Sequence, residues 1–295
     1  MQAQALGRRT FIAALAAASV SCRRSGQPGR DRPLVIVFGQ EHAPRNPDAL
    51  RSRLEQASQL KLELVAAVSS NAAIDRIQAG RADAGLLSLF DYLYCADVLG
   101  VEPLAQLQRA GDRTTHAGEL VVLADSPLQK LSELSGKRVG YVDRFSVTGF
   151  ILPAAQLREA GVGVEAVWLG SHDAVFPALR EGRVLAGATY SGHAASEQGL
   201  RVLASTGDIA NEPLFVRSSV PADVREALRA ALLGERDPSA LAGLAGATGF
   251  RAPAAAAYET ALATVRAAGK RVEDLVPGGW VRANDQRRPM WSYGH

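Results

Sequence analysis

The chain has 295 residues, 47% of them hydrophobic and 21% charged, the proportions of a folded soluble protein with room for two lobes of ordinary domain size. Its formal charge is +3, and two of the positive charges, Arg8 and Arg9, fall in a leader; no basic cluster is interleaved with aromatics, so nucleic acid is not an expected partner. Cysteine is confined to Cys22 and Cys95, no Cys/His cluster has metal-ligand spacing, and no cofactor is implied.

Residues 1–22 read as a targeting segment. Arg8-Arg9 is its basic region, and Phe11 to Val20 is an apolar run too short to span a bilayer. Gly7-Arg8-Arg9-Thr10-Phe11-Ile12 resembles a twin-arginine signal, and Ser19-Val20-Ser21-Cys22 resembles a lipobox with Ser19 where Leu is usual. The expectation is an exported, periplasmic protein anchored to a membrane through lipidated Cys22, by a twin-arginine or general secretory route. Cys95, in the apolar stretch Tyr92-Leu93-Tyr94-Cys95-Ala96, then serves core packing.

Residues 23–32, polar and unpatterned, are expected as a tether. Strand and helix then alternate. Pro33 to Gly39 is a buried strand, Ala49 to Leu60 a helix and Lys61 to Val68 a strand. Asn71 to Ala79 is a helix, Ala82 to Leu87 a strand, Asp91 to Leu99 a helix and Pro103 to Gln108 extended. The order recurs with strands at Gly136 to Val142, Val164 to Leu169 and Val184 to Ala188, and helices at Gly149 to Ala160 and Ala174 to Arg180. After these come strands at Leu200 to Ala204 and Glu212 to Arg217, helices at Val220 to Leu233 and Ala254 to Ala268, and a polar tail, Gly278–His295. The fold class is α/β, with a mostly parallel sheet in each of two lobes.

The recurrence is an internal repeat. Ser69-Ser70-Asn71-Ala72 faces Ser171-His172-Asp173-Ala174, 102 positions on, and Gly80-Arg81-Ala82-Asp83-Ala84-Gly85 faces Gly182-Arg183-Val184-Leu185-Ala186-Gly187. Two similar lobes side by side put a cleft between them, where ligands bind outside the carboxyl ends of strands. Ser88 and Ser146 follow strands and project there. The stretch after Val142 holds Ser146-Val147-Thr148-Gly149, a hydroxyl-rich turn at a helix start. Free N–H groups and the helix dipole make such a turn an oxyanion site, and plain N-capping is the competing reading.

Several patterns together resemble the phosphate/phosphite/phosphonate-binding proteins of ABC importers, a family of the type II periplasmic binding fold. Asp125-Ser126-Pro127, Leu131 to Leu134 and Gly136-Lys137-Arg138-Val139 are similar to its "DSP…L..L.GK.V" run. Ser146 through Pro153 is similar to its "STSGY..P" anion loop, Gly170-Ser171-His172-Asp173-Ala174 to its "GSHDA", and Arg201-Val202-Leu203-Ala204 through Ile209-Ala210-Asn211-Glu212-Pro213 to "RVLA…IPNDP". The resemblance covers about residues 33 to 235.

The resemblance implies a hinged, two-lobed fold. Lobe 1 is 33–112 plus 211–295, lobe 2 is 113–210, and the chain crosses near Gly111–Thr115 and Thr206–Asn211. It implies anion contacts from Ser146 and Thr148, with Val147 in place of the family's middle hydroxyl and the backbone N–H groups of Thr148 and Gly149 available. His172 matches the histidine that donates to the anion, and Glu212 a hinge acid that touches the ligand. Asn71 and His116 stand where the family often has tyrosines. Tyr190 stands where an acid can hold an ammonium, which favours an unsubstituted oxyanion over an aminoalkylphosphonate.

The expected function is therefore extracytoplasmic capture of a small oxyanion by a monomer that closes over it and meets an ABC permease. Sensing through a membrane partner is the alternative. No G-x-S-x-G elbow, P-loop or H-E-x-x-H is present, and Ser146 with His172 lacks an orienting acid, so no enzyme is expected.

Overall fold

A computed structural model describes residues 26–267 and 271–276. The leader, Cys22 and the tail Gly278–His295 lie outside the described residues. In chain order the first part is β1 (Leu34–Phe38), α1 (Pro47–Ser58), β2 (Leu62–Ala66), α2 (Ser70–Gln78), β3 (Ala84–Leu86), α3 (Leu89–Leu99) and β4 (Val101–Arg109). The second is β5 (Thr115–His116), β6 (Gly118–Leu123), β7 (Arg138–Tyr141), α4 (Leu152–Glu159), β8 (Glu165–Trp168), α5 (Val175–Arg180), β9 (Ala186–Tyr190) and β10 (Leu200–Ser205). The chain returns through β11 (Ile209–Ala210) into β12 (Pro213–Arg217), α6 (Ala222–Gly234), α7 (Pro238–Leu241), β13 (Ala247–Arg251) and α8 (Ala255–Ala267).

These strands form two main sheets. One has six strands in the order β13-β4-β12-β3-β1-β2, and the other five in the order β10-β6-β9-β7-β8. β5 and β11 pair antiparallel, His116 opposite Ile209, and carry the chain between the lobes in both directions. β1 is apolar at every position because both its faces are covered. Leu34, Ile36 and Phe38 enter one core cluster, and Val35 and Val37 enter the other, as period-2 alternation requires. β6 divides in the same way, with Leu120 and Val122 on one face and Val121 on the other.

The sheets are mixed rather than mostly parallel, which corrects the expectation. β1 is parallel to β2 and β3, and β7 to β8 and β9. β12 is antiparallel to β3 and β4, and β6 to β9 and β10. The cause is the crossing. A strand that starts at the hinge runs away from the cleft, while strands of βαβ units run towards it, so β6 and β12 must oppose their neighbours.

The repeat has a physical counterpart. Ser69 Oγ accepts the Ala72 N–H at 3.2 Å, and Ser171 Oγ accepts the Ala174 N–H at 3.2 Å. Gly80 and Gly182 close α2 and α5 at φ 66° and 67°, the left-handed conformation that glycine adopts without cost. The tether expected over 23–32 is not one along its described part. Pro28 and Gly29 are buried, Lys61 N–H donates to Gly29 O at 2.9 Å, and Arg32 forks onto Asp83 at 2.6 and 2.7 Å. A bidentate ion pair, invisible to composition, ties this segment down.

Candidate functional site

β1, β2, β3, β7, β8 and β9 all end towards the seam between the lobes, so the segments behind them meet there. After β7, Asp143 Oδ1 accepts the N–H groups of Phe145 and Ser146 at 2.7 and 2.9 Å. Ser146 Oγ then accepts the Gly149 N–H at 3.1 Å. Residues Val147–Ile151 form a single π-turn, with Ile151 N–H donating to Ser146 O at 2.9 Å, before α4 begins at Leu152. The helix expected from Gly149 is thus preceded by a wider turn, a feature frequent at functional sites.

Gly149 is required there, because a Cβ would stand 2.4 Å from Val142 Cγ2. Its N–H is taken by Ser146 and is not available to a ligand, which corrects the expectation. Ser146 uses a lone pair for that bond and keeps its proton to donate. Thr148 is buried, and no hydrogen bond to its hydroxyl is formed among the described residues. Val147 is buried too, in the cluster that contains Leu89, Phe90 and Tyr92 of α3. Its side chain therefore locks the turn of lobe 2 against lobe 1, which is a packing reason for a valine where the family has a hydroxyl.

His172 follows β8 and faces the same seam. Ser171, not His172, caps the following turn. His172 Nδ1 lies 3.1 Å from Thr189 Oγ1, its ring meets Tyr190 edge-on at 5.0 Å, and its Nε2 lies 3.8 Å from Glu41 Oε2 of lobe 1. Burial pushes its pKa down to about 3, and the imidazoles of His193, His116 and His42 add to the effect. His172 is therefore neutral at ordinary pH. Burial likewise raises the Tyr190 phenol.

The hinge holds a second group. Glu212 is buried at the start of the return into β12. Arg109 Nη2 donates to its Oε2 at 2.8 Å, and His42 Nε2 and His116 Nε2 each stand 3.6 Å from its Oε1. Burial opposes ionisation, yet Arg109, His116 and His42 together hold the carboxyl well below the usual range. His116 Nδ1 lies 3.0 Å from Asn211 Oδ1 and 3.2 Å from Arg109 Nη1, and burial lowers its pKa. Arg109 also donates to Asn211 Oδ1 and to Ala245 O. Asn211 Nδ2 binds Leu107 O and Arg113 O, and Tyr258 Oη of α8 donates to Asn211 O. One guanidinium thus ties together both chain crossings. No group of three or more side chains able to hold a metal ion occurs among the described residues.

Two further expected contacts, Ser88 and Asn71, lie at the starts of α3 and α2. Ser88 caps α3, and its hydroxyl donates to Asp91 Oδ2 at 2.8 Å, as does Ser70 Oγ. Ser88 has no proton left for an anion. Asn71, at the start of α2, keeps a buried Oδ1 with no hydrogen-bond partner. Cys95 is fully buried, and burial raises its thiol well above the usual value, as a packing role requires.

The sequence reading missed Glu41, His42, Arg109, Thr189 and a role for His193. Glu41 and His42 were legible in principle, since Gln40–His42 follows directly on β1 and strand ends of this kind carry ligands. Arg109 carried no signal, because Asn211 and Glu212, which it binds at the hinge, lie 102 and 103 residues away.

A family model described as the phosphonate periplasmic substrate-binding protein of ABC transporters matches residues 38–258. Solved structures share the fold at low identity. PhnD1 from Prochlorococcus marinus in complex with methylphosphonate is 16% identical, with a TM-score of 0.66, covering 81% of this chain and 100% of that one. XAC2383 from Xanthomonas citri bound to ATP is 20% identical, with a TM-score of 0.61 and coverage of 86% and 99%. A binding protein component of an ABC phosphonate transporter from Pseudomonas aeruginosa is 16% identical, with a TM-score of 0.61 and coverage of 75% and 81%. The two-lobed α/β fold and the family model agree with the resemblance read from the motifs, and the chain belongs to the phosphonate family of periplasmic substrate-binding proteins, the ligand-capturing components of ABC transporters.

Proposed function

We propose that the seam between the lobes captures a small tetrahedral oxyanion of the phosphonate, phosphite or phosphate class. Ser146 and Thr148 donate hydroxyl protons from lobe 2, His172 donates from the same side, and His116 and Glu212 complete the site at the hinge. Asn71 and Tyr190 border it; Ser88 acts by holding α3, and Val147 and Gly149 by shaping the turn. The observation that carries this reading is the set of groups at one seam: Thr148, whose side chain is largely buried and whose hydroxyl has no protein partner among the described residues, neutral His172, and an acid already neutralised by Arg109.

That last feature removes an electrostatic objection. A lone buried carboxylate would repel an anion, whereas the Arg109–Glu212 pair is neutral overall, and Glu212 Oε1 faces His42 Nε2 and His116 Nε2, each 3.6 Å away. Closure of lobe 1 (33–112 and 211–295) on lobe 2 (113–210), turning at β5 and β11, presents the surface that the permease recognises. No chemical step is assigned to the site, and the protein acts as a monomer.

A thermal-shift screen of methylphosphonate, phosphite, phosphate, sulfate and molybdate tests the reading. A ligand present at about 100 Kd adds about 2.7 kcal/mol, and the shift disappears in Ser146→Ala/Thr148→Ala. No shift with any of the five, or an equal shift in the variant, defeats it. Lipidation of Cys22 rests on the lipobox-like leader; Cys22→Ser is expected to move the protein to the soluble fraction, and continued membrane association counts against the anchor.

A further inference from the structure

The donor sense of His172 is set behind it. Thr189 Oγ1, wholly buried, lies 3.1 Å from His172 Nδ1 and 2.8 Å from His193 Nδ1. His193 Nε2 in turn lies 3.2 Å from Asp173 Oδ1. The ring of His193 stacks on Tyr190 at 4.4 Å and touches Phe176 at 4.5 Å, so its orientation is fixed. A threonine hydroxyl has one proton, and that proton serves only one of the two imidazoles at a time.

Two arrangements satisfy the contacts of Thr189 with both imidazoles and of His193 with Asp173. With His193 neutral, a hydrogen bond to the exposed Asp173 carboxylate places the proton on His193 Nε2, and the bare Nδ1 takes the Thr189 proton. Thr189 Oγ1 must then accept from His172 Nδ1–H, so His172 shows a bare Nε2 to the ligand. With His193 protonated, its Nδ1–H donates to Thr189, the hydroxyl turns its proton to His172 Nδ1, and the single proton of neutral His172 sits on Nε2. Only this second arrangement offers a hydrogen bond to an anion, and it also places a positive charge behind the site. The change binds one proton from solvent at His193 and moves the His172 proton from Nδ1 to Nε2.

We propose that Asp173, His193 and Thr189 are positioning residues that fix the tautomer of His172, and that anion capture is coupled to uptake of a proton at His193. This rests on the reading above, in which His172 contacts the anion. The groups around the relay are Asp173 and Glu197 beside His193, Glu119 and Arg113 at neighbouring Gly192, and Glu41, His42, His116 and Glu212 across the seam from His172. Burial lowers the His193 pKa and Asp173 and Glu197 oppose it, so it is neutral in the free protein over most of the working range. Anion binding then draws in the proton.

The test uses the full chain with 15N-labelled histidine. Across the titration of His193, His172 is expected to pass from the Nδ1–H to the Nε2–H tautomer in the wild type. Thr189→Val removes the link and His193→Phe, which keeps the ring stack, leaves the hydroxyl free to hold His172 as a donor at all pH. Titration calorimetry with methylphosphonate in buffers of different ionisation enthalpy is expected to show about one proton more taken up by the wild type than by His193→Phe. Its affinity falls about tenfold per pH unit above the His193 transition, beyond the ligand's own titration. The same His172 tautomer on both sides of the transition, or equal proton uptake in both proteins, overturns the relay. A tautomer change with no binding of methylphosphonate, phosphite or phosphate overturns instead the reading of His172 as an anion contact.

Discussion

At the scale of single residues, the hinge depends on one ion pair. Arg109 and Glu212 are both buried, 2.8 Å apart, and the guanidinium has further bonds to Asn211 and Ala245. Removing one member of such a pair leaves an uncompensated buried charge and costs about 3–5 kcal/mol. Arg109→Met is expected to lose stability on that scale at neutral pH, and Arg109→Met/Glu212→Gln to regain part of it. The pH dependence has a definite sign. The Glu212 pKa is lowered in the folded protein, so its contribution is complete above the ordinary carboxylate pKa of about 4 and is lost as pH falls below it. The gap between wild type and Arg109→Met in denaturant titrations should therefore be wide at pH 7 and shrink below about pH 4. A gap that does not vary with pH would mean that Glu212 is not held ionised by Arg109.

At the scale of elements, legibility followed the range of the signal. β1, α1, β2, α2 and β3 were readable because each carries its own pattern, such as the unbroken apolar run of β1 and the recurring serines and glycines of the repeat; α1 starts at Pro47 behind the Asn46 cap, two residues before the expected Ala49. The Ser146–Gly149 turn was legible in its residues but not in its geometry. No local pattern distinguishes a π-turn from the first turn of an α-helix, and the taking of the Gly149 N–H by Ser146 depends on how the turn packs on Val142. β6 and β13 were missed, as were the short β5 and β11. The last two have only their pairing to define them, and that pairing joins residues more than ninety positions apart. The mixed sheets escaped for the same reason, since strand direction at the hinge is a property of the crossing rather than of any segment.

At the scale of the whole molecule, binding and closure share contacts. Val147 sits in the turn after β7, in lobe 2, yet packs in the cluster of lobe 1, with Ile151 and Leu152 against the same apolar surface, and Glu41 of lobe 1 reaches His172 of lobe 2. The apolar contact joins the two lobes. A serine at this position would restore the hydroxyl that the family places there, while exchanging a buried isopropyl group for a polar one that loses the contact. Burial of a valine side chain is worth about 1.5–3 kcal/mol, enough to shift an equilibrium between open and closed forms by a factor of ten or more. Val147→Ser is therefore expected to open the ligand-free protein, seen as a larger radius of gyration in small-angle scattering, and methylphosphonate is expected to restore the compact form. If the radius is unchanged in the variant without ligand, the seam is held by the hinge alone, and Val147 contributes only to the local packing of its turn.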